Sequence, residues 1–187
     1  MKIFYLPLAF LMALPLFAAD PVSTYFDGEL KGAEHDVVGL AQAMPADKYN
    51  FSPESAGIKG AQFKGVRTFG LQARHIATII YQVSSAALGE KPPVDLGTGD
   101  NGPDSLTTKD QILTYLKGAF AYGHKSIATL TAKNQMDKFK GPFGGEMMRI
   151  EAANILTWHS FDHYGQMVVY ARMNGVVPPS SQPAPAK

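Results

Sequence analysis

An all-α fold, a four-helix bundle, follows from three features of this sequence of 187 residues. Four stretches of about twenty residues carry apolar side chains at intervals of three and four. Glycine- and proline-rich connections separate them. Nowhere does an apolar residue alternate with a polar one for long enough to suggest a strand, and no internal repeat or second domain is visible.

The chain opens on a leader rather than on a helix of the bundle. Met1-Lys2 is a positive start, residues 3–17 are apolar and uncharged, and Ala18-Ala19 precedes Asp20. That is the pattern of a secretory signal peptide over residues 1–19, too short and wrongly flanked for a spanning helix. Residues 20–179 are then expected to form one bundle domain with a substantial core.

The first helix is expected over residues 23–43. Phe26, Leu30, Ala33, Val37, Leu40 and Met44 recur at helical spacing, and Pro45 ends the run. Residues 45–65, with Pro53, Gly57, Gly60 and Gly65, read as an irregular surface connection. The second helix is expected over residues 67–88. Leu71, His75, Ile79, Val83 and Ala86 form one stripe, and Phe69, Ala73, Ile76, Ile80 and Ala87 form another. A helix apolar over so much of its circumference is buried. Gly89 ends it, and residues 92–104 are a glycine- and aspartate-rich loop expected to be poorly ordered.

Residues 108–132 carry the third helix, with Thr107 or Thr108 as its cap and Asp110 or Gln111 reaching back. Ile112, Leu116, Phe120, Ile127 and Leu130 form its core face, and residues 138–145 read as a loop. The fourth helix, residues 146–174, has the strongest pattern. Met148, Ala152, Ile155, His159, His163, Gln166, Tyr170 and Met173 fall along one side, and Gly175 closes it ahead of Pro178-Pro179. Residues 180–187 are rich in proline and serine and read as a disordered tail. The two longest connections leave room for crossovers, so the handedness stays open.

His159 and His163 stand four apart, one turn from each other on one helical face. Taken alone, such a pair is more often two satisfied surface histidines. Their place in the expected core stripe argues otherwise, because adjacent buried imidazoles need partners. His75, on the second buried helix, supplies a third nitrogen. Three neutral imidazoles on one side of a divalent cation leave its remaining positions for solvent or substrate, the pattern of a reactive site. An all-nitrogen set suits zinc, nickel, copper or iron better than calcium or magnesium. Asp162 and Gln166, on the same helix, are candidates to orient an imidazole. His35 reads as solvated, His124 as bordering the core, and Trp158 as core or interface packing. The tyrosines read as packing residues.

Composition narrows the function classes. Removing Lys2 with the leader leaves 16 basic and 16 acidic side chains, with no basic run to attract nucleic acid. The absence of cysteine excludes disulfides, thiolate ligands and a cysteine nucleophile. No further stretch is apolar enough to insert in a membrane once the leader is cut. The expected location is therefore the periplasm or the medium.

The run from Ala43-Met44-Pro45 to Tyr49-Asn50-Phe51, His75, and the final segment from His159 through His163, Gln166 and Tyr170 to Gly175 and Pro178-Pro179 together resemble the DinB/YfiT-like superfamily of metal-binding four-helix bundles. The resemblance spans nearly all of the chain after its leader. The family pattern of one histidine on the second helix and an HxxxH pair on the last maps onto His75, His159 and His163. It implies a homodimer holding a divalent ion, commonly nickel or zinc, through those histidines. Characterised members include thiol-dependent S-transferases and a thiol-dependent isomerase. The expectation is thus an exported metal-dependent enzyme acting on a small molecule, of S-transferase or hydrolase type, with a thiol or water as partner. The alternative is a non-catalytic envelope protein that binds metal or a small ligand.

Overall fold

The computed structural model describes residues 20–183; the leader expected over residues 1–19 lies outside the described residues. Four helices, α1 (Pro21–Ala43), α2 (Phe69–Leu88), α3 (Lys109–Ile127) and α4 (Arg149–Met173), form the bundle. The all-α reading holds, with one small addition. Three-residue strands β1 (Lys138–Lys140) and β2 (Glu146–Met148) make an antiparallel hairpin before α4, with Phe139 opposite Met147. Strands this short show no alternation, which is why residues 138–145 read as a loop. Among the described residues, no helix is long and apolar enough to cross a membrane.

Local chemistry sets the helix ends. Asp20 caps α1 by accepting from the Val22 amide at 2.9 Å, with Pro21 at the first helical position. Thr68 caps α2, and Gly89, at φ +67°, closes it in a left-handed conformation. Thr108 and Gln111 form a reciprocal capping box on α3, one of the pairings expected. α3 ends at Ile127, five residues before the end expected from its spacing. Beyond Ile127, the Thr131 amide donates to Asn134 Oδ1 at 2.8 Å and Asn134 Nδ2 donates to the Thr129 carbonyl at 2.9 Å. Such side-chain bonds compete with continued helix.

Packing places α2 between α3 and α4, with α1 opposite it between the same two helices. The core is built from the expected stripes of the first three helices: Leu30, Val37 and Leu40; Ile76, Ile80 and Val83; Leu116 and Phe120. Gly123 marks their meeting point. A Cβ there would lie 3.1 Å from Leu30 Cδ2, 3.2 Å from Ile80 Cγ2 and 3.4 Å from Leu156 Cδ1.

On α4 the buried face is turned from the expected one. Ala152, Ala153, Leu156, Thr157, Ser160, His163, Met167, Tyr170 and Ala171 are buried. Ile155 and His159 flank that face, and Gln166 and Met173 are exposed. Small residues supply much of the contact, so a stripe weighted toward large side chains points slightly off axis. The residues read as the start of a tail instead include a 3-10 turn, Pro179–Ser181, with Pro179 set against Gly39 of α1. Residues 184–187 lie outside the described residues.

The segment joining α2 to α3, residues 89–108, is tied down rather than loose. Arg67 Nε donates to Asn101 Oδ1 at 2.7 Å and its Nη2 to Asp100 Oδ2 at 2.9 Å. Arg74, itself buried, donates to the Gly102 carbonyl at 2.8 Å, and Gln82 donates to that of Gly99 at 3.2 Å. Aspartates and glycines were the visible signal; the arginines that fix them sit on the previous helix and just ahead of it.

Candidate metal centre

His75, His159 and His163 come together. One nitrogen from each lies within 4.8 Å of the other two. His159 Nε2 is 3.1 Å from His75 Nε2 and 3.1 Å from His163 Nε2. The rings belong to α2 and α4, which pack against each other, and the four-residue spacing stacks two of them on one face.

The second ring nitrogens decide what the first can do. His75 Nδ1 lies 2.6 Å from the backbone carbonyl of Asp100. A carbonyl only accepts, so His75 carries its proton on Nδ1 and presents a bare lone pair at Nε2. His163 Nδ1 lies 2.7 Å from Gln72 Oε1, while Gln72 Nε2 donates to Gln166 Oε1 at 2.8 Å. His163 Nε2 is therefore a lone pair as well. His159 can donate one Nε2 proton to one of these neighbours and no more. At least one of the two 3.1 Å contacts is then nitrogen against nitrogen with no hydrogen between them. His159 Nδ1, moreover, is buried without a protein partner. Hydrogen bonding within the protein does not satisfy the three facing nitrogens; a cation held between them would.

The dimensions fit. Nitrogen ligands at about 2.0–2.1 Å from one ion stand roughly 3–3.4 Å apart in octahedral or tetrahedral geometry, which brackets the two 3.1 Å separations from His159; the third, between His75 and His163, lies within 4.8 Å. Protonation is also favourable. Burial first, then repulsion from the neighbouring imidazoles and from Arg67, pushes His159 down to about 3. Burial and His75 push His163 down to about 4. Burial likewise lowers His75, against the opposing bond to Asp100. All three rings are neutral near pH 7, the form that binds metal.

The DinB superfamily model matches residues 29–167, which takes in all three histidines, the whole of α2 and α3 and most of α1 and α4. The chain belongs to the DinB superfamily. No curated protein shows a significant sequence match. The DinB assignment agrees with the bundle and with a histidine triad that can hold a metal ion.

Other expected positions divide. Gln166 lies 3.4 Å from His163 Nδ1 but acts mainly by holding Gln72. Asp162 is on the other side of that ring, 3.9 Å from Nε2, so it does not support Nδ1. His35 is exposed, as expected. His124 stands between α1 and α3 with its nitrogens 2.6 Å from Asp27 and 3.2 Å from Glu34, away from the triad's bonds. Trp158 is not core: it is 51% exposed, edge-on to His159. Gln72, Asp100 and Arg67 were missed. Gln72 is three residues ahead of His75, a spacing that puts a polar residue on the same helix flank, and this was the one available signal.

Proposed function

We propose that this DinB-superfamily chain is an exported metal-dependent enzyme acting on a small electrophile, of S-transferase or hydrolase type. The observation that carries the metal half is the pair of 3.1 Å nitrogen contacts that His159 makes with two rings whose protons are committed elsewhere. The Nε2 atoms of His75, His159 and His163 would hold zinc or nickel, with iron or copper as further candidates. A divalent ion there supplies Lewis-acid chemistry, lowering the pKa of a thiol or water or polarising a substrate. The chain's own contribution is to fix the rings. Asp100 and Gln72 set two tautomers, and Arg67 holds the loop that carries Asp100. With three protein nitrogens in the cluster among the described residues, other positions are left for reactants, which supports catalysis over storage.

Two parts of the proposal rest on separate support. Periplasmic or secreted location rests on the apolar leader and the small residues that follow it. A homodimer is supported by the exposed apolar side chains Trp158, Phe161 and Val169 along the outer side of α4, a face that a second copy would cover.

The test is elemental analysis of the native protein together with turnover of electrophile panels, with and without thiol, before and after chelation. Near-stoichiometric metal and chelator-sensitive turnover support the reading. A metal-free protein, or turnover indifferent to chelation, overturns it.

A further inference from the structure

An open cleft of about 720 Å³ lies between α2, α3 and the residue 89–108 loop, a size suited to a drug-sized molecule. It shares no lining residue with the histidine cluster or with Gln72 and Asp100, which support that cluster. Tyr81 and Tyr115 contribute to its wall, their ring centroids 5.2 Å apart. Both rings are almost wholly buried, so they are fixed surfaces rather than mobile side chains. Val94 and Leu106 add apolar surface from the loop.

The polar part of the wall is of one sign. Asp95 and Asp110 line the cleft, and no lysine, arginine or histidine does. Neither carboxylate is within ion-pair distance of a basic side chain among the described residues, whereas Asp27, Asp100, Asp104 and Glu90 each have one. The backbone is adapted to keep the aromatic wall in place. A Cβ at Gly118 would fall 2.5 Å from the Tyr81 hydroxyl. A Cβ at Gly102, whose φ is +71°, would fall 3.2 Å from Tyr115 Cε1.

An apolar cleft edged by two carboxylates that have no ion-pair partner among the described residues selects an organic cation. Its ammonium head would meet the carboxylates, and its hydrocarbon body the apolar wall. Anions are disfavoured by the same charges. We propose that this cleft is a second ligand site, separate from the histidine cluster, for a small amphipathic cation of the alkyl- or quaternary-ammonium class.

Calorimetric titration of the purified full chain with benzyltrimethylammonium tests this, with phenylacetate and benzyl alcohol as anionic and neutral controls. Saturable one-to-one binding is expected, weakened by added salt, at least about tenfold tighter than either control, and unchanged by chelator. In the wild-type protein, amide shifts on addition of the cation should centre on Tyr81, Asp95, Asp110 and Tyr115. The double substitution D95N/D110N should weaken binding about tenfold or more. Absence of saturable binding, equal affinity for a control, shifts centred on the histidines, or loss of binding on chelation overturns the proposal. The wild-type measurements decide the matter even if the double variant does not fold.

Discussion

The imidazole of His75 is aimed by the backbone of Asp100: Nδ1 donates to that carbonyl across 2.6 Å, on a loop 25 residues further along the chain. A backbone acceptor cannot be removed by replacing the Asp100 side chain. Its position is set by what holds the loop.

Arg67 is that support, through Asp100 and Asn101. Arg67→Ala should leave the bundle folded and weaken metal binding about tenfold, as loss of an outer support does. Competition with a coloured chelator measures it. Unchanged affinity would show that Arg74 and Gln82 hold the loop without it.

Gln72 is buried and accepts the His163 proton. Gln72→Leu strands that N–H and should destabilise the metal-free protein by about 1–3 kcal/mol. It should also reduce metal affinity about 10–100-fold. Urea unfolding of the chelated protein separates the first effect from the second.

His159 has the opposite profile. It lies at the edge of the buried face and its Nδ1 has no protein partner. His159→Ala should therefore abolish stoichiometric metal while costing the chelated protein little stability. Elemental analysis and a thermal melt on the same sample report both, and retained metal would remove His159 from the ligand set.

Acid should destabilise the metal-free protein through the triad. Because the folded state holds His159 near 3 and His163 near 4, the unfolded chain binds more protons wherever the pH is below the ordinary value of 6.5. The stability present above about pH 6.5 is then lost progressively as pH falls toward 4. Urea midpoints across that window should fall more steeply for the wild type than for a His159→Gln/His163→Gln variant. Parallel slopes would contradict the assignment.

Gly123 tests the centre of the bundle. Side chains of α1, α2 and α4 already approach its Cβ position to 3.1–3.4 Å. Gly123→Val should overpack the core and cost about 1–3 kcal/mol, read as a lowered urea midpoint. A gain in stability would mean that the three neighbours relax freely.

Much of this was legible in the chain because apolar periodicity and helix caps act locally. Leu30, Val37, Leu116 and Phe120 fell on the buried faces that their spacing implied, and Thr108 with Gln111 capped α3. The meeting of His75 with His159 and His163 was readable because the rings sit on helical faces, where spacing carries directional information. The orienting groups were not. Gln72 reaches His163 across 91 residues and Arg67 reaches Asp100 across 33, and no periodicity encodes such pairings. The rotation of α4 was hidden for a different reason: alanine and serine bury readily but contribute little to an apolar pattern.

His75 and His159 are separated by 84 residues of chain. An ion shared between them would act as a removable cross-link, closing a long covalent loop in a polypeptide that contains no cysteine to do the same. Closure of a loop that long restricts the unfolded chain considerably. Susceptibility to proteolysis would then follow metal supply.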